Sequence, residues 1–444
     1  MAKARYLQLA DTLEAAIKRG KLAPGSKLPT HRAFAERFGV ALATATRTYG
    51  ELERRGAVVG EAGRGTFVRD KGVPLSLGLQ QSAADGSVDL VFNMPSDTSD
   101  ADTLRSALKR LATSGDLSAM LRYQPHGGRD HERAIIANDV QRTLGPIDPA
   151  QLLITSGGQH GLSLLGFGLL THGDAVATDV LTYPGFKSVA SLQGLDLVPI
   201  ASSKGIMDPE ALERSCQSKR IKGVYLMPTV HNPLGTVMDL ATRLRIVDVA
   251  RRHDLMIFED AAYAFLEPDP PTGFLTLAPE RTVHIGGFSK TLATGLRLGY
   301  LIAPLPQIEP LTEAIRATTW NAPALISDLV TNWILDGTSA QFEANRREDG
   351  AERQNICADI LRDHRLLSHR NASFAWLPLE QGVRAEPIVI SLKKLGVSVS
   401  DARPFAVGST IPQALRIAFG GVPKHEFQTA LEAVRTAIDA ASPS

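Results

Sequence analysis

The sequence predicts two folding units: a small, mainly α-helical winged helix-turn-helix at the N-terminus, and a large α/β body with a mostly parallel sheet and a smaller C-terminal α/β subdomain. Three observations predict this. At 444 residues the chain is longer than one hydrophobic core usually serves. Residues 1–70 hold 13 Lys and Arg against 7 Asp and Glu, and the rest holds 35 against 40, so a head of net +6 precedes a body of net −5. From about residue 90 onward, short apolar runs ending in Gly, Pro or acidic residues alternate with helical stretches.

In the head, apolar residues recur at Tyr6, Leu9, Ala10, Leu13 and Ile17, which predicts a helix over Arg5–Arg19. Thr30 is placed to cap a short helix over His31–Phe38, ended by Gly39. A further helix over Leu42–Arg55 is expected to turn Ala45, Tyr49 and Leu52 inward and Thr44, Arg47, Thr48 and Glu51 outward. Val58-Val59 and Thr66-Phe-Val68, joined by Glu61-Ala-Gly-Arg-Gly65, form a hairpin whose Gly-rich tip carries Arg64. The basic charge suits either a nucleic-acid phosphate backbone or an ordinary solvated surface. Residues 71–89 are small and polar without sustained period and read as a linker.

The body's apolar runs are Leu152–Ile154, Ala175–Ala177, Val224–Leu226, Leu255–Phe258, Val283–Ile285 and Tyr300–Ile302. Ligands of such sheets collect beyond the carboxyl ends of the strands, and the polar residues there match one another chemically. Lys290 follows a strand on a Gly/Ser loop, with Ser289 beside it and Arg297 seven residues on: an amine able to form an imine, next to groups suited to a phosphate dianion. Asp260 ends a strand, where a carboxylate can hold a ring nitrogen protonated, with Tyr263 close behind; Asn232 is similarly placed for a ring oxygen. Thr155-Ser-Gly-Gly-Gln159 follows a strand and opens a helix, an arrangement that receives phosphate on backbone N–H groups. Tyr183 is expected to stack on a ring face. His160, His172 and His231 lie nearby without metal-ligand spacing and read as polar loop residues, so no metal is expected. Strand-like runs at Ser373–Pro378 and Ile388–Leu392 and a closing helix from about Lys424 to Ala441 outline the smaller subdomain, taken to begin near residue 320.

The longest apolar run, near Gly161–Leu170, is too short and Gly-rich to span a bilayer, and no export signal is read at the start. Cys216 and Cys357 form neither a disulfide framework nor a zinc motif, and a cytoplasmic protein is expected.

The run LPTHRAFAERFGVALATATRTYGELERRGAVVGEAGRGTFV resembles the winged helix-turn-helix of GntR-family bacterial regulators. That resemblance implies double-stranded DNA as a partner, met by Arg32, Thr44 and Arg47 and, at the wing, by Arg64 and Gly65. Residues 90–444 are similar to fold type I aminotransferases dependent on pyridoxal 5'-phosphate. This similarity implies Lys290 as the internal-aldimine lysine, Asp260 at the ring nitrogen, and Asn232 and Tyr263 at the ring hydroxyl. It places Ser156, Gly157, Gly158, Gln159, Ser289 and Arg297 near the phosphate. It also implies a homodimer, in which Tyr123 reaches the phosphate of the other subunit, and Arg416 as the grip on a ligand carboxylate. Gly287 departs from the pattern, standing where many relatives carry a Ser or Thr phosphate ligand.

A GntR-type head on such a body resembles the MocR subfamily of transcription regulators. Two readings follow. In the first, the protein regulates transcription and senses an amine, an amino acid or pyridoxal phosphate itself at Lys290. In the second, it is an active aminotransferase with a DNA-binding appendage. The basic head favours the first, because transamination needs no winged helix.

Overall fold

The computed structural model describes residues 4–19, 21–22, 26–61, 65–68, 87–94, 100–114 and 116–441. The wing-tip residue Arg64 and residues 71–86 of the stretch read as a linker lie outside the described residues. The chain divides into two compact units, a small N-terminal one and a large one holding Gly78–Val407 and Ala414–Ser444.

The small unit contains helices α1 (Arg5–Lys18), α2 (His31–Phe38) and α3 (Leu42–Arg54) and the antiparallel hairpin β1 (Val58–Glu61) and β2 (Gly65–Val68). The Thr30 hydroxyl accepts the Ala33 N–H at 3.3 Å, and Gly39 closes α2 in the left-handed region at φ 58°. Leu9, Ala10, Phe34, Ala45, Tyr49, Leu52, Val58 and Val68 fill its core. Arg55 ties the end of α3 to α1 through Asp11 at 2.7 Å and Glu14 at 3.0 Å. One orientation is corrected: Thr48, expected outward, is fully buried, because the broad face of α3 against α1 takes it in. Its hydroxyl is satisfied by donating to the Thr44 carbonyl at 2.8 Å.

The large unit is built on seven strands: β3 (Leu152–Thr155), β4 (Ala175–Asp179), β5 (Asp196–Ile200), β6 (Ile221–Leu226), β7 (Met256–Asp260), β8 (Thr282–Gly287) and β9 (Gly299–Ile302). Their order is β3-β9-β8-β7-β6-β4-β5. The neighbours from β8 through β5 pair in parallel, and β9 runs antiparallel to both β8 and β3. Strand β5 has no counterpart among the runs read from sequence; its polar and half-buried residues give an edge strand little apolar signal. Alternate residues serve opposite faces of the sheet. Leu153, Tyr225, Phe258, Ile285 and Leu301 pack with Leu162, Phe186 and Leu311, while Val224, Leu226 and Ile257 pack with Leu212, Ile246 and Ala250.

The smaller subdomain has an antiparallel sheet of Leu367–Ser368, Phe374–Pro378, Ala414–Ala418 and Ser400–Asp401. Helices Ala385–Lys394 and Lys424–Asp439 pack into its core, which includes Leu90, Leu377, Ile388, Leu392, Ile417, Phe427 and Leu431. Three expectations change here. Ile388–Leu392 is helical: its β-branched residues suggest a strand, but burial of Ala385, Ile388 and Leu392 follows helical spacing. Val88–Asp89, read as linker, is a strand paired in parallel with Val397–Ser398. Residues Ala322 to Phe342 pack with Ile136, Leu152 and Leu298 beside the large sheet, so apart from Leu90 the smaller core draws on residues from about Cys357 onward, well after residue 320.

Among the described residues, no helix is long and apolar enough to cross a membrane, and no group of His, Cys, Asp and Glu could hold a metal ion.

Candidate functional site

Strands β7 and β8 end side by side and deliver Asp260 and, one loop later, Lys290. The Lys290 ammonium donates to the Asn93 carbonyl at 2.7 Å and stands 5.8 Å from the Tyr263 ring centroid. Its loop is held from behind by Arg346, which donates to the carbonyls of Thr291 at 3.2 Å and Leu292 at 3.0 Å. Asp260 is buried. Its Oδ1 accepts the Ala262 N–H at 3.0 Å and its Oδ2 accepts the Tyr225 hydroxyl at 2.6 Å. Burial pushes its pKa up, and those two hydrogen bonds oppose the rise. The Tyr263 hydroxyl accepts from Asn93 Nδ2 at 3.2 Å, and Asn93 Oδ1 accepts from Ser373 at 2.6 Å.

The turn after β3 forms a cradle. Gly157 precedes the helix Gly158–Gly168 with φ 90°, a conformation that favours glycine, and a Cβ there would lie 2.9 Å from the Arg297 guanidinium and displace it. Arg297, itself left-handed at φ 51°, donates to Ser289 Oγ at 3.4 Å. Ser289, Arg297 and the N–H groups opening the helix thus converge, which is the donor set a phosphate dianion takes. A Cβ on Gly287 would meet Leu298 O at 3.4 Å and Gly158 N at 3.5 Å, ordinary contacts that leave room for a small side chain. The Ser156 N–H donates to His160 Nδ1 at 3.1 Å, and His160 Nε2 lies 2.9 Å from Thr318 Oγ1. Burial lowers the His160 pKa to about 4. His160 is therefore a structural part of the turn, more than the polar loop residue expected. The side chain of Gln159 turns aside, donating to the Gly185 carbonyl at 3.0 Å, so its contribution to the cradle is its backbone.

Tyr183 occupies the position before the helix Pro184–Gln193 without capping it through its side chain, and burial raises its pKa. Asn232 is buried, and its Oδ1 has no hydrogen-bond partner among the described residues. His231, also buried, lies 3.6 Å from Asp179 Oδ2. Arg416 is 1% exposed; it donates to the Val91 carbonyl at 2.7 Å and lies 5.1 Å from the Phe374 ring centroid. Its Nε has no hydrogen-bond partner, and no carboxylate pairs with it among the described residues. Asp89 acts on it electrostatically without forming an ion pair, and a buried guanidinium so weakly compensated is costly, a cost that an anionic ligand would offset. Tyr123 is 87% exposed, its ring 5.7 Å from Trp320.

Sequence reasoning missed Asn93, Tyr225 and Ser373. Asn93 precedes Met94-Pro95 with no motif around it, and Tyr225 reads as filling within a buried strand. In the small unit Arg32 and Arg47 are exposed and Thr44 is half-buried. Gly65 adopts φ 114°, and a Cβ there would strike Lys27 Cε at 2.8 Å. Lys27 is thus drawn to the wing, a neighbour not singled out from sequence.

The family model for aminotransferase class I and II matches residues 86–434, and that for bacterial regulatory proteins of the gntR family matches residues 5–68. The chain is similar to the uncharacterized HTH-type transcriptional regulator YdeF of Bacillus subtilis, at 30% identity over 93% of this chain and 89% of that one. It is also similar to 2-aminoadipate transaminase of Thermus thermophilus, at 26% identity over 72% of this chain and 81% of that one. Among solved structures, kynurenine aminotransferase of Pyrococcus horikoshii shares the fold with a TM-score of 0.76 and 21% identity, over 82% of this chain and 93% of that one.

Proposed function

We propose, for a chain that belongs to the aminotransferase class I and II family and carries a gntR-type helix-turn-helix head, that it regulates transcription by binding DNA and sensing a small amine or amino acid through pyridoxal 5'-phosphate. The observation that carries this reading is the joining of a basic winged helix-turn-helix to a candidate ligand site in which most of the expected chemical parts occur, Gly287 being the departure.

The residues fit the cofactor. Asn232 Oδ1 is an unpartnered buried acceptor, and the Gly157–Gly158 turn with Ser289 and Arg297 is a cradle that side chains would fill. In this reading Lys290 would hold the cofactor through its amine, and Asp260 would hold the ring nitrogen. Asn232 and Tyr263 face the ring hydroxyl, and Tyr183 lies on the ring. Ser156, Gly157, Gly158, Gln159, Ser289 and Arg297 surround the phosphate. When bound, the cofactor supplies a carbonyl that condenses with amines and an electron-withdrawing ring. Lys290 would give up its place on the cofactor to an effector amine, and Arg416 would receive the effector's carboxylate. A homodimer completes the site with Tyr123 of the second copy, whose exposure beside Trp320 suits an interface. In this reading Arg32, Thr44, Arg47, Arg64 and Gly65 contact the DNA operator, and a regulator bound to the chromosome works in the cytoplasm.

The test is a spectral titration of the cofactor-loaded protein with a panel of amino acids, run beside binding of promoter DNA from its own or a neighbouring gene. The regulator reading expects one effector to change both the visible absorbance and DNA affinity. A spectral change that leaves DNA binding untouched at every promoter would overturn it. A second reading, an active aminotransferase with a DNA-binding appendage, is favoured by the presence of most of those chemical parts. Steady multiple turnover with an oxo-acid acceptor would support it, and a spectral change without turnover would count against it.

A further inference from the structure

The partner of a ring nitrogen must be ionised to hold that nitrogen protonated, and burial drives Asp260 the other way. Two donors oppose burial. One is the Ala262 backbone N–H, fixed by the chain itself. The other is the Tyr225 hydroxyl at 2.6 Å, and among the described residues Tyr225 is the only side chain hydrogen-bonded to Asp260. His231 and His284 also face Asp260 electrostatically, but neither bonds to it, and His284 is engaged by Glu259 at 2.9 Å. Tyr183 and Asp179 lie near the Tyr225 hydroxyl without bonding to it.

Tyr225 is built to stay in place. It is fully buried in β6, paired in register with Thr178 of β4 and Phe258 of β7. Its ring stacks on Phe186 at a centroid distance of 4.0 Å and an interplanar angle of 14°. Burial raises its pKa well above the ordinary value, so the hydroxyl keeps its proton and remains a donor.

We infer that Tyr225 is a positioning residue, whose hydroxyl holds Asp260 in its ionised form and aims it at the ring nitrogen of the bound cofactor. This rests on the cofactor reading above. Tyr225 itself does not touch the cofactor; it acts through Asp260.

The experiment compares the full-length protein with Tyr225→Phe and Phe186→Leu, each titrated with pyridoxal 5'-phosphate and then across pH. The readouts are cofactor affinity and the pH midpoint of the visible band formed with Lys290. Loss of a charge-assisted hydrogen bond is expected to weaken cofactor binding in Tyr225→Phe by about tenfold or more. The midpoint is expected to rise, because a ring nitrogen held less firmly as a cation opposes protonation of the neighbouring imine nitrogen less. Phe186→Leu disturbs the stack but keeps the hydroxyl, and its midpoint is expected to stay with the wild type. Affinity within about twofold and an unmoved midpoint in Tyr225→Phe would overturn the inference, as would an equal midpoint shift in both variants, which would assign the effect to packing. Absence of any visible band in the wild type is a different failure, that of the cofactor reading, and the inference falls with it.

Discussion

Arg416 is a fully buried cation whose described neighbours are a carbonyl, aromatic rings and tyrosine hydroxyls, with the Asp89 carboxylate acting on it only electrostatically. In such surroundings a ligand carboxylate is worth far more than at a surface, because both charges are desolvated once and satisfied together. Arg416→Met keeps volume and removes the charge. We expect it to retain cofactor absorbance while weakening the amino-acid-induced spectral change by about a hundredfold, read by titration; an unchanged midpoint would dissociate Arg416 from the effector. Gly287 gives a prediction of opposite sign. A serine Cβ fits there without strain and puts a hydroxyl close to Gly158 N, so Gly287→Ser is expected to tighten cofactor binding several-fold, about 1 kcal/mol for one added hydrogen bond. Lys290, Asp260 and Asn232 were legible in sequence because each sits at the carboxyl end of an apolar run, where one-dimensional pattern and chemistry coincide. Asn93 was not: it meets Ser373, distant in the chain, and no local pattern encodes such a meeting.

At the level of elements, α2 was readable to the residue because its start and stop are chemical. Thr30→Ala removes the hydroxyl that accepts the Ala33 N–H and is expected to cost about 1 kcal/mol. That loss should appear as a lower unfolding midpoint of the small unit and weaker DNA binding. The helix Ala385–Lys394 misled for the converse reason: its Ile-Val-Ile run has strand propensity, and tertiary burial of one helical face prevailed. The helix opening at Gly158 carries a pH device in His160. Its Nδ1 accepts the Ser156 N–H and so needs to be unprotonated. Its folded pKa, about 4, lies below the ordinary 6.5, so the unfolded chain binds the extra proton first. The stability contributed is full above pH 6.5 and is lost as pH falls towards 4. Urea midpoints measured across that window are expected to decline in the wild type and to decline less in His160→Gln, which has no proton to gain.

For the whole molecule, charge is the property that sequence reports most directly, since it needs no fold to be counted. Thirteen basic residues against seven acidic ones in the first seventy give the small unit a positive field, and residues 71–444, with 35 against 40, lack one. Phosphate contacts release condensed counterions, so the logarithm of DNA affinity falls with the logarithm of salt by about 0.9 for each phosphate neutralised. Two outcomes follow. Deleting residues 1–70 is expected to abolish DNA binding and leave the visible cofactor band intact, because the large unit has its own cores and holds every residue around Lys290. Arg47 is exposed on α3 with no ion pair among the described residues. If Arg47 meets a phosphate, Arg47→Ala weakens operator and unrelated DNA alike and lowers the salt slope by about 1. If it reads a base edge, the slope holds and only operator preference is lost. Binding measured at several salt concentrations on both DNAs separates the two, and equal affinity of the variant and the wild type on both would remove Arg47 from the interface.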